Sequence, residues 1–329
     1  MAKLLTYQGH IRNWRTLCDE LGIDKTLPRE QREHQIIEKG FEKWGENIAD
    51  HLYGMFAFSL RTDDGIFALR DHFGTVPFYY YMTAGGELLC GTTIREITED
   101  SRFVKELNES MLQIYLTLTY VAGEETFFKG LKKLMPGHRL KFSGGELTVN
   151  RYWTPTFKPD RSKSLEDWAD EIHTTIQSVM PEVLESHESA ESFLSGGVDS
   201  SYVLAMSNAQ VTDSCGYDDE RFDESPLAAK TAEILGRENN RCLITPEMYF
   251  DIVPWVMENM EQPLADASAI VFAIACRATA EHTKICYSGE GADEFFGGYN
   301  MYRNAERYGE NLKTFYVGNT NIMKEDEKQ

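Results

Sequence analysis

The spacing of apolar and polar residues changes character along the chain. As far as about residue 155, short apolar runs are separated by turn-forming residues. Met55-Phe56-Ala57-Phe58-Ser59-Leu60 and Gly65-Ile66-Phe67-Ala68-Leu69-Arg70 flank Thr62-Asp63-Asp64-Gly65, which predicts a β-hairpin. Phe78–Tyr81 and Leu88–Gly91 repeat the arrangement around Ala84-Gly85-Gly86, and a further hairpin is expected at Leu140–Leu147. Helical spacing marks Arg32–Trp44 and the stretch TLCDELG that carries Cys18.

Beyond residue 165 the pattern lengthens. Leu165, Trp168, Ile172, Ile176 and Val179 fall on one helical stripe, opened by Ser164 with Asp167 three residues on. Pro181 is expected to kink or end that helix. Phe193-Leu194 leads into a glycine turn, and Tyr202–Met206 continues as helix. Val211–Tyr217 reads as a strand, Ser225–Leu235 as a helix stopped at Gly236, and Ile285–Ser288 as another strand. Such alternation predicts a parallel sheet with helices on both faces. Between the halves, PTFKPDRSKS (155–164) is rich in Pro and Lys and poor in apolar residues. The expected organisation is a domain over 1–154, a linker over 155–164 and a second domain over 165–329.

Composition narrows the function classes. The 329 residues are 42% hydrophobic, enough for a sizeable core without a metal or disulfide staple. Lys plus Arg total 33 against 53 acids, a formal charge of -20, which argues against general nucleic-acid binding. The local basic tract KGLKKLMPGHRLKF (129–142) does not change that reading. The six cysteines form no C-x-x-C pair and fit reduced thiols in a cytoplasmic protein. No apolar run is long enough to span a bilayer, and MAKLLTYQGH lacks a signal-peptide core.

The candidate chemistry centres on SFLSGGVDSS (192–201). A glycine turn between a strand and a helix gathers backbone N–H groups and the positive helix end at one point. Ser195, Ser200 and Ser201 add hydroxyls, so the turn suits a polyphosphate, yet it is not a G-x-x-x-x-G-K-[ST] loop. Asp199 repels a bare phosphate, but it can hold a Mg²⁺ that bridges to one. That predicts a second carboxylate at the same sheet edge. SGEGADEFFGGY (288–299), after the strand KICY, offers Glu290, Asp293 and Glu294 on another glycine-bearing turn. In an open α/β sheet, ligands bind at that edge.

SGGVDSS, Phe222-Asp223-Glu224-Ser225-Pro226, Gln262-Pro263-Leu264-Ala265-Asp266-Ala267-Ser268 and SGEGADEFFGGY, in that order, resemble the synthetase domain of asparagine synthetases, a PP-loop ATP pyrophosphatase. Upstream, LYGMFAFSL, LRDHFGTVPFYYY and FFKGLKKLMPGH resemble that family's glutaminase domain and its exit hairpin. The resemblance implies an N-terminal Ntn-hydrolase-like αββα sandwich and a Rossmann-like (HUP/PP-loop) parallel α/β domain. It implies ATP and Mg²⁺, with aspartate amidated through β-aspartyl-AMP and AMP plus pyrophosphate released. Ser195, Gly196, Gly197, Val198, Asp199, Ser200, Ser201, Ser288 and Gly289 would then surround ATP and pyrophosphate. Asp199 and Asp293 would hold Mg²⁺. Glu290 would position or deprotonate the incoming amine, and Asp223, Glu224, Asp266 and Ser268 would be substrate-side candidates. A homodimer is possible on the same resemblance.

Parts of the family pattern differ here. The chain opens Met1-Ala2-Lys3, without the family's N-terminal cysteine, and Cys18 reads as a packing residue. The family's Asn-Gly-Glu corresponds to Gln8-Gly9-His10, and the acid of its Asp-Gly-Met-Phe to Tyr53. The chain is therefore expected not to hydrolyse glutamine, so that ammonia comes from elsewhere. It also ends about thirty residues after Tyr299, which suggests an incomplete synthetase domain. The alternatives are an adenylating relative of the β-lactam synthetase or lasso-cyclase kind, and a non-catalytic module.

Overall fold

A computed structural model describes residues 2–184, 190–299 and Tyr302. The chain forms two compact units, one made of the residues up to Lys158 together with Glu261–Pro263, the other of Pro159–Met260 and the described residues from Leu264 onward. The first hairpin forms where its apolar runs predict, and it is extended by a strand that the pattern did not announce. β1 (Lys3–Ile11) pairs antiparallel with β2 (Gly54–Thr62), which pairs with β3 (Gly65–Arg70). The other expected hairpins also form. β4 (Tyr79–Met82) pairs with β5 (Leu88–Gly91) and with β6 (Leu131–Lys133), while β7 (His138–Ser143) pairs with β8 (Glu146–Arg151). The result is a five-stranded sheet, β1-β2-β3-β7-β8, and a three-stranded sheet, β5-β4-β6.

Side chains then stack the layers. Ala57, Ala68 and Leu140 of the larger sheet bury against Tyr80 and Leu88 of the smaller one. The opposite face of the larger sheet, through Phe56, Phe58 and Phe67, packs on α1 (Trp14–Leu21) and α2 (Arg29–Trp44). Cys18 is buried in that layer, as a packing residue should be. Tyr79, Tyr81 and Leu89 pack on α3 (Ile94–Thr98). A short helix α4 (Ser110–Leu118) precedes β6. This is the expected αββα sandwich.

The second unit is the expected parallel α/β fold. Ser164 and Asp167 cap α5 (Leu165–Leu184) reciprocally: the Asp167 N–H donates to Ser164 Oγ at 3.1 Å, and the Ser164 N–H donates to Asp167 Oδ2 at 2.9 Å. The helix runs on past Pro181 to Leu184, the last residue described there. Pro181 is exposed, so the carbonyl it leaves unpaired can reach water. The strands β9 (Glu191–Phe193), β10 (Val211–Tyr217), β11 (Glu238–Ile244) and β12 (Cys286–Tyr287) are all parallel, in the order β11-β10-β9-β12. Between them run α6 (Val198–Met206), α7 (Ser225–Ile234), α8 (Pro246–Asn259) and α9 (Ala267–Thr279), with α10 (Ala292–Phe296) last. The strand expected at Ile285–Ser288 is shorter than its apolar run. β11 had no apolar signal because it is an edge strand opening Glu-Asn-Asn-Arg, held by its ladder to β10. Among the described residues, no helix is long and apolar enough to cross a membrane.

Two buried acids of the first unit are held by several hydrogen bonds each. Glu33, on α2, is 1% exposed and accepts from Tyr7 Oη at 2.7 Å, from the Ile11 N–H at 3.1 Å and from His10 Nδ1 at 2.7 Å. Burial alone would raise its pKa, but the bonds from His10, Tyr7 and Ile11 outweigh it and hold the carboxyl below its ordinary value. Asp71, equally buried, accepts from the N–H groups of Phe56, Phe73, Thr75 and Val76 and fixes the turn between β3 and β4.

Because folding lowers the Glu33 pKa, its contribution is fully present above the unfolded value, about 4.3, and is lost as pH falls through the folded value. Glu33→Gln should cost about 1–3 kcal/mol at neutral pH. Urea denaturation at neutral pH and near pH 4 checks both points: the gap between variant and wild type should narrow in acid.

Candidate active site

Strand order decides where ligands can bind in the second unit. From β9 the chain crosses to β10 on one side, while β12 arrives on the other. The crevice between β9 and β12 is therefore a topological switch point, open at the strands' carboxyl ends. The glycine turn SGG (195–197) leaves β9 there, and SGEG (288–291) leaves β12. The two turns touch. A Cβ on Gly289 would lie 2.8 Å from the Ser200 nitrogen and 3.0 Å from the Asp199 carbonyl carbon.

The first turn is braced internally. Ser195 Oγ and Ser200 Oγ are 3.0 Å apart, and the Ser195 N–H donates to Ser200 Oγ at 3.2 Å. The Gly197 N–H donates to Ser195 Oγ at 3.2 Å. Ser200 is buried, so its hydroxyl serves the turn itself. Gly196 has φ +81° and lies against α7, where a Cβ would meet Leu227 Cγ at 2.8 Å and the Ala228 nitrogen at 2.9 Å. Only glycine accepts both that backbone and that contact. Helix α6 starts at Val198 with no side-chain cap, and Asp199 sits in its exposed first turn.

In the second turn, the Glu290 N–H donates to Ser288 Oγ at 3.1 Å. Asp293 and Glu294 follow in α10. Tyr299 Oη donates to Glu294 Oε1 at 2.8 Å, and that bond, with burial and the nearby charges of Glu294, Asp293 and Glu290, pushes the phenol up to about 12. Four anionic or potentially anionic side chains thus share one small region.

Both turns open into one cavity of about 670 Å³. Ser195, Gly197, Asp199 and Ser200 line it from the first turn, and Ser288, Gly289, Glu290 and Asp293 from the second. Glu224 and Ser268 also reach it. Gly196, Val198, Ser201, Asp223 and Asp266 do not line it; Val198 is 82% exposed. The wall opposite the turns was not anticipated. Asp213, Cys215 and Tyr217 alternate along one face of β10, and Phe193 packs on Phe272 of α9 with ring centroids 5.5 Å apart. The period-two pattern of Val211–Tyr217 carried that signal, but it does not say which face is covered by a helix.

Comparison with known proteins fits this arrangement. The asparagine synthase family matches residues 173–326, and the glutamine amidotransferase domain family matches residues 1–153. Asparagine synthetase [glutamine-hydrolyzing] 1 of Bacillus subtilis is 29% identical over 309 residues, covering 91% of this chain and 48% of its own length. Asparagine synthetase [glutamine-hydrolyzing] 3 of the same organism is 27% identical over 325 residues, covering 92% of this chain and 52% of its own length.

The chain belongs to the asparagine synthetase family.

It spans about half the length of the curated relatives it matches. Among solved structures, glutamine phosphoribosylpyrophosphate amidotransferase from B. subtilis, complexed with ADP and GMP, aligns with a TM-score of 0.33 at 13% identity, covering 80% of this chain and 51% of that one.

Within this family member, two of the motif acids are occupied by the backbone. Asp223 accepts from Ser225 Oγ at 2.6 Å, from the Ser225 N–H at 3.1 Å and from the Tyr217 N–H at 3.4 Å, and pairs with Arg241 at 2.8 Å. The Ser225 hydroxyl bond leads in holding its pKa below the ordinary value; burial opposes it, and the Ser225 and Tyr217 N–H groups and Arg241 assist. Asp266 is the N-cap of α9, accepting from the Ser268 N–H at 2.9 Å and Ser268 Oγ at 2.7 Å. In the amidotransferase-like unit, His10 is paired to Glu33, and the half-exposed Tyr53 lies parallel to the His72 ring at 6.4 Å.

Gly289→Ala tests the contact between the turns. The added methyl meets backbone rather than a movable side chain, so it should destabilise the second unit by about 1–3 kcal/mol. A lowered thermal midpoint is the readout; an unchanged one would mean that the turns can separate freely.

Proposed function

We propose that this chain activates a carboxylate with ATP for amide formation, as an asparagine-synthetase-type ligase acting on the aspartate side chain. The observation that carries this reading is that Asp199 and Asp293, from turns on two neighbouring strands, line one cavity together with Glu290 and the glycine turn. A carboxylate resists attack by ammonia because its negative charge must first be removed. In the proposed first step a side-chain oxygen of aspartate attacks the α-phosphorus of ATP, the bond to the β-phosphate breaks, and pyrophosphate leaves. In the second, ammonia attacks the β-aspartyl-AMP carbonyl, AMP leaves, and one proton is released.

Each motif has a part in this. The backbone N–H groups at the start of α6 and the Ser195 hydroxyl face the departing pyrophosphate, where a helix N-terminus favours negative charge. Ser200 supports them by holding Ser195 in place. Asp199 and Asp293 offer the hard oxygen ligands that Mg²⁺ prefers, and Gly298, lying against the Asp293 carboxylate, leaves no Cβ to crowd it. Bound there, Mg²⁺ would offset charge on the leaving phosphates. Glu290, exposed on the cavity rim, receives the proton lost by the incoming ammonia. Glu224 and Ser268 are placed to contact substrate.

The first unit is read as a scaffold. Tyr53 supplies no charge for the ammonium of a bound glutamine, and His10 is held by Glu33. Ammonia from solution or from another chain then serves as the amine. The same feature favours the second reading, an adenylating relative with another acceptor. Exchange of labelled pyrophosphate into ATP separates the readings. Aspartate-dependent exchange is expected, and Asp199→Asn or Asp293→Asn should reduce it about 100-fold or more. Exchange with a different carboxylate alone would select the second reading. Absence of any nucleotide binding would leave a non-catalytic module.

A further inference from the structure

A second group of ligating side chains sits on the same sheet, and one of its members, Asp213, also lines the cavity. Glu191 opens β9, Asp213 lies within β10, and His282 falls between α9 and β12. Asp213 pairs across the ladder with Phe193, two residues from Glu191, so the two acids stand on one face. One ligand atom from each of Glu191, Asp213 and His282 lies within 4.8 Å of the others. No other set of three such residues among those described is as close.

The group is poorly satisfied as it stands. Glu191 is 9% exposed, and its Oε2 is buried with no hydrogen-bond partner. Asp213 Oδ2 is likewise buried and unpartnered, its other oxygen accepting from Asn240 Nδ2 at 3.3 Å. The two carboxylates lie within hydrogen-bond reach of each other, and such a buried pair is costly unless a shared proton or a cation meets it. The nearest positive candidate is His282, whose Nδ1 is 3.9 Å from Glu191 Oε2, beyond hydrogen-bond reach.

We propose that Glu191, Asp213 and His282 bind a divalent transition-metal ion of the Zn²⁺ kind. With metal–ligand bonds of about 2.1 Å, tetrahedral ligands stand about 3.4 Å apart, whereas these atoms lie within 4.8 Å of one another, so the side chains have to draw together around the ion. One imidazole and two carboxylates suit first-row metals, whereas Mg²⁺ prefers oxygen throughout. His282 is half-exposed and gives the ion a way in. The ion would tie the start of β9 to the segment entering β12, the two strands whose far ends carry the glycine turns. It would act as a structural clamp on the switch point, with Asp213 shared between the ion and the cavity wall.

Isothermal titration of the full chain with Zn²⁺, in excess Mg²⁺ and without nucleotide, tests this. The expected result is one Zn²⁺ per chain, with affinity reduced at least about tenfold in both Glu191→Gln and His282→Ala and unchanged in Asp199→Asn. His282 is exposed enough that its replacement leaves the fold intact, which near-ultraviolet circular dichroism checks. Failure of the wild type to bind Zn²⁺ overturns the proposal. So does binding that persists in His282→Ala, which would point to the cysteines instead.

Discussion

The second unit depends on a backbone approach. Gly289 lies against the peptide between Asp199 and Ser200, so the turn after β12 and the first turn of α6 are in van der Waals contact. Parallel pairing of β12 with β9 brings the strands side by side, but only the absence of a Cβ lets the turns at their carboxyl ends meet. From that contact comes the rest of the site. Asp199 faces the same cavity as Glu290 and Asp293 because their turns cannot stand apart, and the buried Ser200 hydroxyl can brace Ser195 because its helix is pinned from both sides. A site built on rigid strand ends in this way is preorganised in a manner that a single mobile loop is not.

The acids of the chain divide by whether the fold already answers them. Glu33 and Asp71 are buried and fully hydrogen-bonded, and Asp223 and Asp266 are engaged in fixing the starts of α7 and α9. These are structural charges: their partners are backbone N–H groups and neighbouring side chains that folding itself supplies. Asp199, Glu290 and Asp293 line an open cavity, and Asp293 and Glu290 act on Tyr299 through their charge. An acid that the fold does not answer is one left for something else to answer, and a polyphosphate can enter such a place only with a cation beside it. Glu191 is the extreme case: burial, with Asp213 beside it, pushes its pKa up to about 7. Its environment opposes the charge that Glu33's environment favours, although both side chains are buried.

How much of this could be read from the sequence depended on how local the cause was. The hairpins at 54–70 and 138–151 were legible because turn residues and alternation lie within a few positions of each other. Val211–Tyr217 was legible to the residue, since its pattern is bounded by polar turns. β1 and β11 were not, because neither is apolar enough alone and each is held at a sheet edge by a single neighbouring strand outside its own local pattern. Pro181 does not end α5, because it is exposed and water can meet the backbone carbonyl it leaves unpaired. In the site, both glycine turns were legible as turns bearing acids. The wall of Asp213, Cys215, Tyr217 and Phe272 was not, because which face of β10 is covered depends on where α9 packs.

The same distinction explains why the motif residues did not all arrive in the cavity. A motif records every residue that a local arrangement requires, including those that hold the chain in shape. Asp266 caps α9 and thereby sets where Ser268 begins the helix, so that Ser268 reaches the cavity while Asp266 does not. Asp223 does the same for α7: it ties Ser225 and Tyr217 to Arg241, and α7 in turn supplies the surface on which Gly196 rests. Removing either carboxylate would therefore reach the site through displaced backbone rather than through a lost ligand contact. Residues of that kind belong to the site's geometry even though no substrate touches them, and sequence alone cannot separate them from Asp199 or Glu290, because spacing and residue type are the same for both kinds.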